Sequence, residues 1–389
     1  MQEFTFAPAV MPPAAEALRT EVRDFLADAR ARGLFTPRRH SWSSFDPAFS
    51  AECGQRGFIG MTWPKEFGGG GRSALERYVM TEEMLAGGAP VGAHWVADRQ
   101  SGHQILHHGS ERAKALILPQ ICAGTCFFGI GMSEPDSGSD LAAARTRAVR
   151  VDGGWSITGR KVWTSNAHRA HYLIVLARTE QRSDANRHAG LSQFIVPLDA
   201  EGIEVRPIYN LYGGHDFNEV VFDGVFAPDD MMIGQEGSGW TMVTGELSFE
   251  RSGPDRFLST VQLLLEVIDA SGPEPDRAAA IDIGRKVAEL AALRRMSTSI
   301  AGMLDRDLRP ITEAALVKDL GTAFEQSIPE VARRLLAIEP RINREDGDLA
   351  ALLGHTVVAA PAFTIRGGTR EILRGMIARG SASDEPRYP

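Results

Sequence analysis

Cysteine is scarce: the 389 residues hold three, Cys53, Cys122 and Cys126. So sparse and odd a set supplies neither a disulfide framework nor the four ligands of a structural metal site. The three are expected to be small buried residues in a reducing compartment. His107, His108, His168 and His171 lack a companion carboxylate–histidine cluster at ligand spacing, so no metal is expected. A basic excess is also missing. Lys and Arg total 42 against 50 Asp and Glu, a formal charge of −8, which argues against general nucleic-acid binding and leaves room only for a local basic patch. Long apolar runs are absent. None approaches the roughly 20 residues that span a bilayer, and Met1 to Pro13 shows no basic stretch leading into an apolar one. The expectation is a soluble, cytoplasmic protein. There is no Gly-x-Ser-x-Gly nucleophile motif. The run Gly68-Gly69-Gly70-Gly71 is not followed by Gly-Lys-Ser/Thr, so it reads as a tight surface turn rather than a phosphate cradle.

What is present divides the chain in three. Its length exceeds one comfortable core, so two or three domains are expected. Residues 1–125 read helical: Leu18, Val22, Phe25, Leu26 and Ala29 recur at helix spacing, and Gly33 and Pro37 close that helix. Residues 126–236 change period. Val149 to Val151 and Trp155 to Ile157 flank Asp152-Gly153 as a hairpin, with that dipeptide supplying positive φ angles. Tyr172 to Ala177, Gln193 to Leu198 and Glu219 to Phe222 are further short strands, which together suggest a small barrel or sandwich. Residues 237–389 return to helix. Three stripes appear there: Leu258, Val261, Leu264, Leu265 and Ile268; Val287, Leu290, Leu293, Ile300 and Leu304; Ala315, Leu316, Leu320 and Ala323. With the segment Leu349 to Arg379 they make a four-helix bundle. The fold class is therefore α+β and multi-domain: N-terminal helical, middle β-barrel or sandwich, C-terminal bundle.

Two segments of the β region are crowded with small polar donors. Met132-Ser133-Glu134-Pro135-Asp136-Ser137-Gly138-Ser139-Asp140 is followed by Gly159-Arg160-Lys161-Val162-Trp163-Thr164-Ser165-Asn166. Gly138 permits close backbone approach to a ring. Ser133, Ser139 and Ser165 offer hydroxyls, and Trp163 offers a flat apolar face. Donors for a pyrimidine edge and a face for an isoalloxazine are what a flavin site needs. Glu134 and Asp140 read as structural, because an anion beside a flavin opposes its reduction.

Ser-Glu-Pro-x-x-Gly-Ser-Asp resembles the signature of the acyl-CoA dehydrogenase family, and the second segment resembles that family's next motif. Two further family-like segments lie downstream, so the resemblance covers nearly the whole chain. It implies the order helical, β, helical bundle, and bound FAD. Met132, Ser133, Gly138, Trp163 and Ser165 would contact the flavin, with Ser139 on the pantetheine side of the acyl-CoA. Gly368, Thr369 and Glu371 match the family's adenosine-side contacts. In much of the family the proton-abstracting Glu stands where this chain has Gly367. Other members use a Glu on the first bundle helix, just before an Arg; here that is Phe249-Glu250-Arg251. The resemblance thus implies Glu250 as the α-proton base, with Arg251 beside it for the substrate, and hydride transfer to flavin N5. Electron-transferring flavoprotein is the implied electron acceptor, and a homotetramer or dimer the implied assembly.

The chain also departs from the family. No Arg-x-x-Phe-Gly segment follows the first bundle helix, leaving Arg285, Arg294 and Arg295 as loose substitutes for its phosphate contact. A bacterial subgroup shares that departure, the Gly-Gly-Thr motif and a segment like Gly213-Gly214-His215-Asp216-Phe217-Asn218-Glu219. Some of its members are mixed tetramers with fewer flavins than subunits. Two alternatives therefore stand beside the dehydrogenase: an oxygen-using flavin oxidase or monooxygenase on the same fold, and a non-catalytic partner subunit.

Overall fold

The computed structural model describes residues 4–37, 41–181, 186–251, 253–342 and 348–382, with the side chains of residues 42 and 246–250 outside the description. The order helices, strands, helices is the one expected. Compactness divides the chain into two units: 1–45, 72–91 and 247–389 form one, and 46–71 and 92–246 form the other.

The first unit is helical. Pro13–Ala31 buries Leu18, Val22, Phe25, Leu26 and Ala29 as its periodicity predicts, and the left-handed Gly33 follows its end. Ala74–Ala86 begins at a capping box between Ser73 and Glu76, and two orphan amides of helices of this kind need such partners. Charge ties these two helices to the long helix Arg277–Leu304. Glu82 and Glu83, both nearly buried, accept from Arg19, Arg23 at 2.7 Å and Arg294 at 2.7 Å.

Ile311–Leu335 is the hub against which Val261–Ser271, Arg277–Leu304, Leu349–Ala359 and Arg370–Ala382 pack. The stripes expected for these helices need correcting. Leu265, Val287 and Leu320 are exposed, at 42%, 50% and 42%. Ala315 is buried as expected, and beside Ala314, Val317, Phe324 and Ile328 the buried face of Ile311–Leu335 also carries Glu313, Lys318, Asp319 and Glu325. Lys318, Asp319 and Glu325 are satisfied by groups distant in sequence, which no local period reveals. The segment from Leu349 is two helices, parted by the turn that contains Gly367 and Gly368.

The second unit holds an eight-stranded sheet: β1 (Phe128–Gly131), β2 (Arg147–Val151), β3 (Gly154–Ser165), β4 (Tyr172–Arg178), β5 (Leu191–Pro197), β6 (Ile203–Ile208), β7 (Phe217–Pro228) and β8 (Met232–Ile233). The order is β6-β7-β3-β2-β4-β5-β8, with β1 parallel to β4. The β2–β3 hairpin is antiparallel as expected, but of its two turn residues only Gly153 has positive φ. Trp155 of β3 and Phe194 of β5 are not on neighbouring strands, yet their rings lie 5.7 Å apart. The sheet therefore curls around one core, which Ile157, Val175, Val196, Phe222 and Val225 also fill. Cys53, Cys122 and Cys126 are buried free thiols. Among the described residues no helix is long and apolar enough to cross a membrane.

Candidate functional site

Strand β3 positions the first set of expected residues, all within the second unit. Its pairing with β7 loses register between Lys161 and Thr164. At that break Trp163 takes φ 59°, a backbone conformation uncommon for a bulky residue and costly unless the surroundings enforce it. The bulge re-aims the side chain. Trp163 is 60% exposed, and Phe217 of β7 meets its ring edge-on at 6.1 Å.

The Ser133 turn is fastened to the same strand. Val162 N–H donates to the Ser133 carbonyl at 2.9 Å. Lys161 Nζ donates to the Met132 carbonyl at 3.1 Å and to Glu134 Oε1 at 2.8 Å. Glu134 also accepts from the amides of Arg145 at 2.6 Å and Thr146 at 2.9 Å. Burial alone would raise the Glu134 carboxyl, but Lys161 and these amides outweigh it and hold it below the usual carboxylate range. The same burial pulls the Lys161 ammonium down to about 8 despite its carboxylate partner. Met132, Ser133, Trp163 and Ser165 are thus brought together around one strand, while Gly138 and Ser139 lie exposed further along the turn.

This arrangement fits a flavin. Ser133 and Ser165 carry half-buried hydroxyls with no protein partner among the described residues. The indole beside them presents an open face. A Cβ at Gly138 would meet nothing within 4 Å. Ring face, edge donors and free approach are all present.

The second set lies in the first unit. The helix Gly239–Arg251 ends at Arg251, which is 4% exposed. Its Nε donates to the Gly367 carbonyl at 3.0 Å and its Nη1 lies 3.1 Å from Met376 Sδ. Gly367 and Gly368 are successive left-handed residues, φ 65° and 97°, a turn that side chains resist. Buried Lys318 donates to the Phe363 and Gly368 carbonyls at 3.2 and 3.0 Å. Thr369 Oγ1 then caps Arg370–Ala382 by accepting from Ile372 N–H at 3.3 Å. Glu371 is exposed in the first helical turn, where its own amide and Thr369 hold its carboxyl below the usual range. Glu250 belongs to the helix that ends at Arg251, and its side chain lies outside the described residues. Of the three arginines considered as phosphate ligands, Arg294 is committed to Glu82 and Arg285 lies 4.0 Å from Asp282.

Lys161 and Lys318 are functional candidates that the motifs did not single out. No local signal marks them: Lys161 follows Arg160 on β3 and Lys318 precedes Asp319 in its helix, and their partners lie far off in sequence. His168 stacks on His215 at 3.8 Å, and both rings share Asn218 Oδ1.

The chain matches the acyl-CoA dehydrogenase N-terminal domain over residues 12–125 and the acyl-CoA dehydrogenase middle domain over residues 129–225. It is 32% identical over 375 residues to acyl-CoA dehydrogenase IpdE1 of Mycobacterium tuberculosis, covering 93% of this chain and 96% of that one. Its structure resembles the Tcur3481-Tcur3483 steroid ACAD, with a TM-score of 0.84 at 28% identity, covering 98% of this chain and 100% of the other. It also resembles a chain of the ChsE4-ChsE5 complex from Mycobacterium tuberculosis, with a TM-score of 0.80 at 28% identity and coverage of 97% and 99%.

Proposed function

This chain belongs to the acyl-CoA dehydrogenase family and is an oxidoreductase, and from that premise we propose that it desaturates an acyl-CoA thioester between its α and β carbons, with FAD as cofactor. The observation that supports the reading best is Trp163, held outward at a register break beside the uncommitted hydroxyls of Ser133 and Ser165. A bound flavin supplies the acceptor for the β-hydrogen. The rest falls to the chain. Met132, Ser133, Gly138 and Ser165 serve the ring's edge and Trp163 its face. Gly368, Thr369 and Glu371 serve the adenosine side. Ser139 serves the pantetheine side of the acyl-CoA and Arg251 the substrate, and Glu250 removes the α-proton, a task for a carboxylate shielded from water.

Two finer points draw on the relatives. One structural relative is named a steroid ACAD, and both carry paired names. They support a bulky, ring-bearing acyl group as substrate and a second, related subunit as partner. Electron-transferring flavoprotein completes the cycle as electron acceptor, and the protein works in the cytoplasm. The test is Glu250→Gln. The variant is expected to keep its flavin and to be reduced by thioester roughly a thousandfold more slowly. A wild-type rate would remove the base assignment. Because Arg294 is committed to Glu82, a second reading stands: a partner subunit without turnover, which a colourless protein active only beside a relative would favour.

A further inference from the structure

Lys161 is 0% exposed on a strand where an apolar side chain would be cheaper to bury. Room is made for it: a Cβ at Gly131 would lie 3.2 Å from its Cγ. Its ammonium is not used for pairing alone. One N–H goes to the Met132 carbonyl and another to the Glu134 carboxylate, so the residues on both sides of Ser133 are gripped. The Ser133 carbonyl is taken by Val162 N–H, the next residue of β3. Glu134 is itself braced by two amides, of Arg145 and Thr146, and by paired backbone bonds with Ser137. Three consecutive residues thus have acceptors turned towards β3, while the Ser133 hydroxyl has no protein partner among the described residues. The next side chain but one along β3 is the outward Trp163.

We propose that Lys161 is a positioning residue for the cofactor: by holding the Met132 carbonyl and the Glu134 carboxylate, it fixes the turn that presents Ser133 to the flavin edge. This rests on the flavin reading above. Lys161 touches neither cofactor nor substrate and acts through the turn. A group that only stabilised the fold would, on removal, lower stability and leave the bound flavin unchanged.

The experiment compares wild type, Lys161→Met, Glu134→Gln and the paired apolar variant Lys161→Met/Glu134→Leu, each as the full chain with added FAD. FAD affinity, the visible spectrum of bound flavin and its reduction potential are measured beside the urea midpoint. Lys161→Met is expected to bind FAD roughly tenfold more weakly, the loss that goes with misplacing one hydrogen bond, and to shift the flavin spectrum and potential. The paired variant removes the unmatched charge and is expected to recover stability without recovering affinity or spectrum. It carries the test if Lys161→Met alone fails to fold. Wild-type affinity, spectrum and potential in the variants would overturn the proposal alone. A wild-type protein that binds no FAD would overturn the flavin reading and the proposal together.

Discussion

Replacing Gly368 by alanine should damage the Gly367–Gly368 turn measurably, whereas the same change at Gly284 should stabilise the protein. Gly368 has φ 97°, where an L side chain costs about 1–2 kcal/mol. Its new Cβ would stand 2.9 Å from Arg251 Nη2. Arg251 is almost wholly buried and its Nε holds the Gly367 carbonyl, so the guanidinium has little room to yield. Losing a buried hydrogen bond to a charged group costs a further ~1.5–3 kcal/mol. The sum is about 2 kcal/mol if Arg251 slides aside with its bond intact, and about 4 kcal/mol if that bond breaks. Gly284 lies inside the helix Arg277–Leu304, and a Cβ there meets nothing within 4 Å. Alanine at that position should gain ~0.5–1 kcal/mol through reduced freedom of the unfolded chain. Urea unfolding followed by circular dichroism reads both variants, since a midpoint shift at constant slope reports stability. FAD affinity read in parallel should fall for Gly368→Ala alone. A Gly368→Ala protein as stable as wild type, beside a Gly284→Ala protein that behaves as expected, would refute the strain reasoning.

Two further outcomes follow from the second unit. Trp163→Ala should lower FAD affinity by roughly tenfold or more while leaving the urea midpoint nearly unchanged, because the indole is 60% exposed; unchanged FAD binding would separate Trp163 from the flavin. His94 is buried beside Ser50 at 3.1 Å, and burial holds its imidazole at about 4 even though Asp98 pulls the other way. The unfolded chain takes up that proton near pH 6.5. The stability that neutral His94 contributes is therefore complete above about pH 6.5 and is lost as pH falls towards 4, by an amount of order 3 kcal/mol. Urea midpoints between these limits should fall with pH in the wild type and less steeply in His94→Gln; parallel slopes would contradict the burial argument.

The parts of the fold that were legible in the sequence are those governed by local period. The stripe of Pro13–Ala31 has all five expected residues buried, and the β2–β3 hairpin follows from alternating strands around a glycine turn. β6 escaped because exposed Glu204 and Arg206 alternate with half-buried Ile203 and Val205 in a short edge strand, which tolerates charged side chains. Leu320 lies outside the buried face of its helix because charged side chains take places on that face, held by groups some forty to fifty residues away, such as the carbonyls of Phe363 and Gly368 for Lys318. Of the site, the motifs disclosed Ser133, Trp163 and Ser165 as residue types. What turns Trp163 outward is a register shift against β7, a property of two strands and invisible in one. What sets Lys161 apart from other strand-borne cations is Glu134, 2.8 Å away but 27 residues earlier in the chain.

The central claim is that a thioester delivers its hydrogens to a flavin held by this chain. An anaerobic absorbance titration tests it most directly, with protein purified in the presence of FAD and a panel running from straight-chain to ring-bearing acyl-CoA thioesters. The expected result is a flavin band bleached in stoichiometric steps by a bulky, ring-bearing thioester and only weakly by short straight chains. A yellow protein whose band no thioester bleaches would contradict the claim.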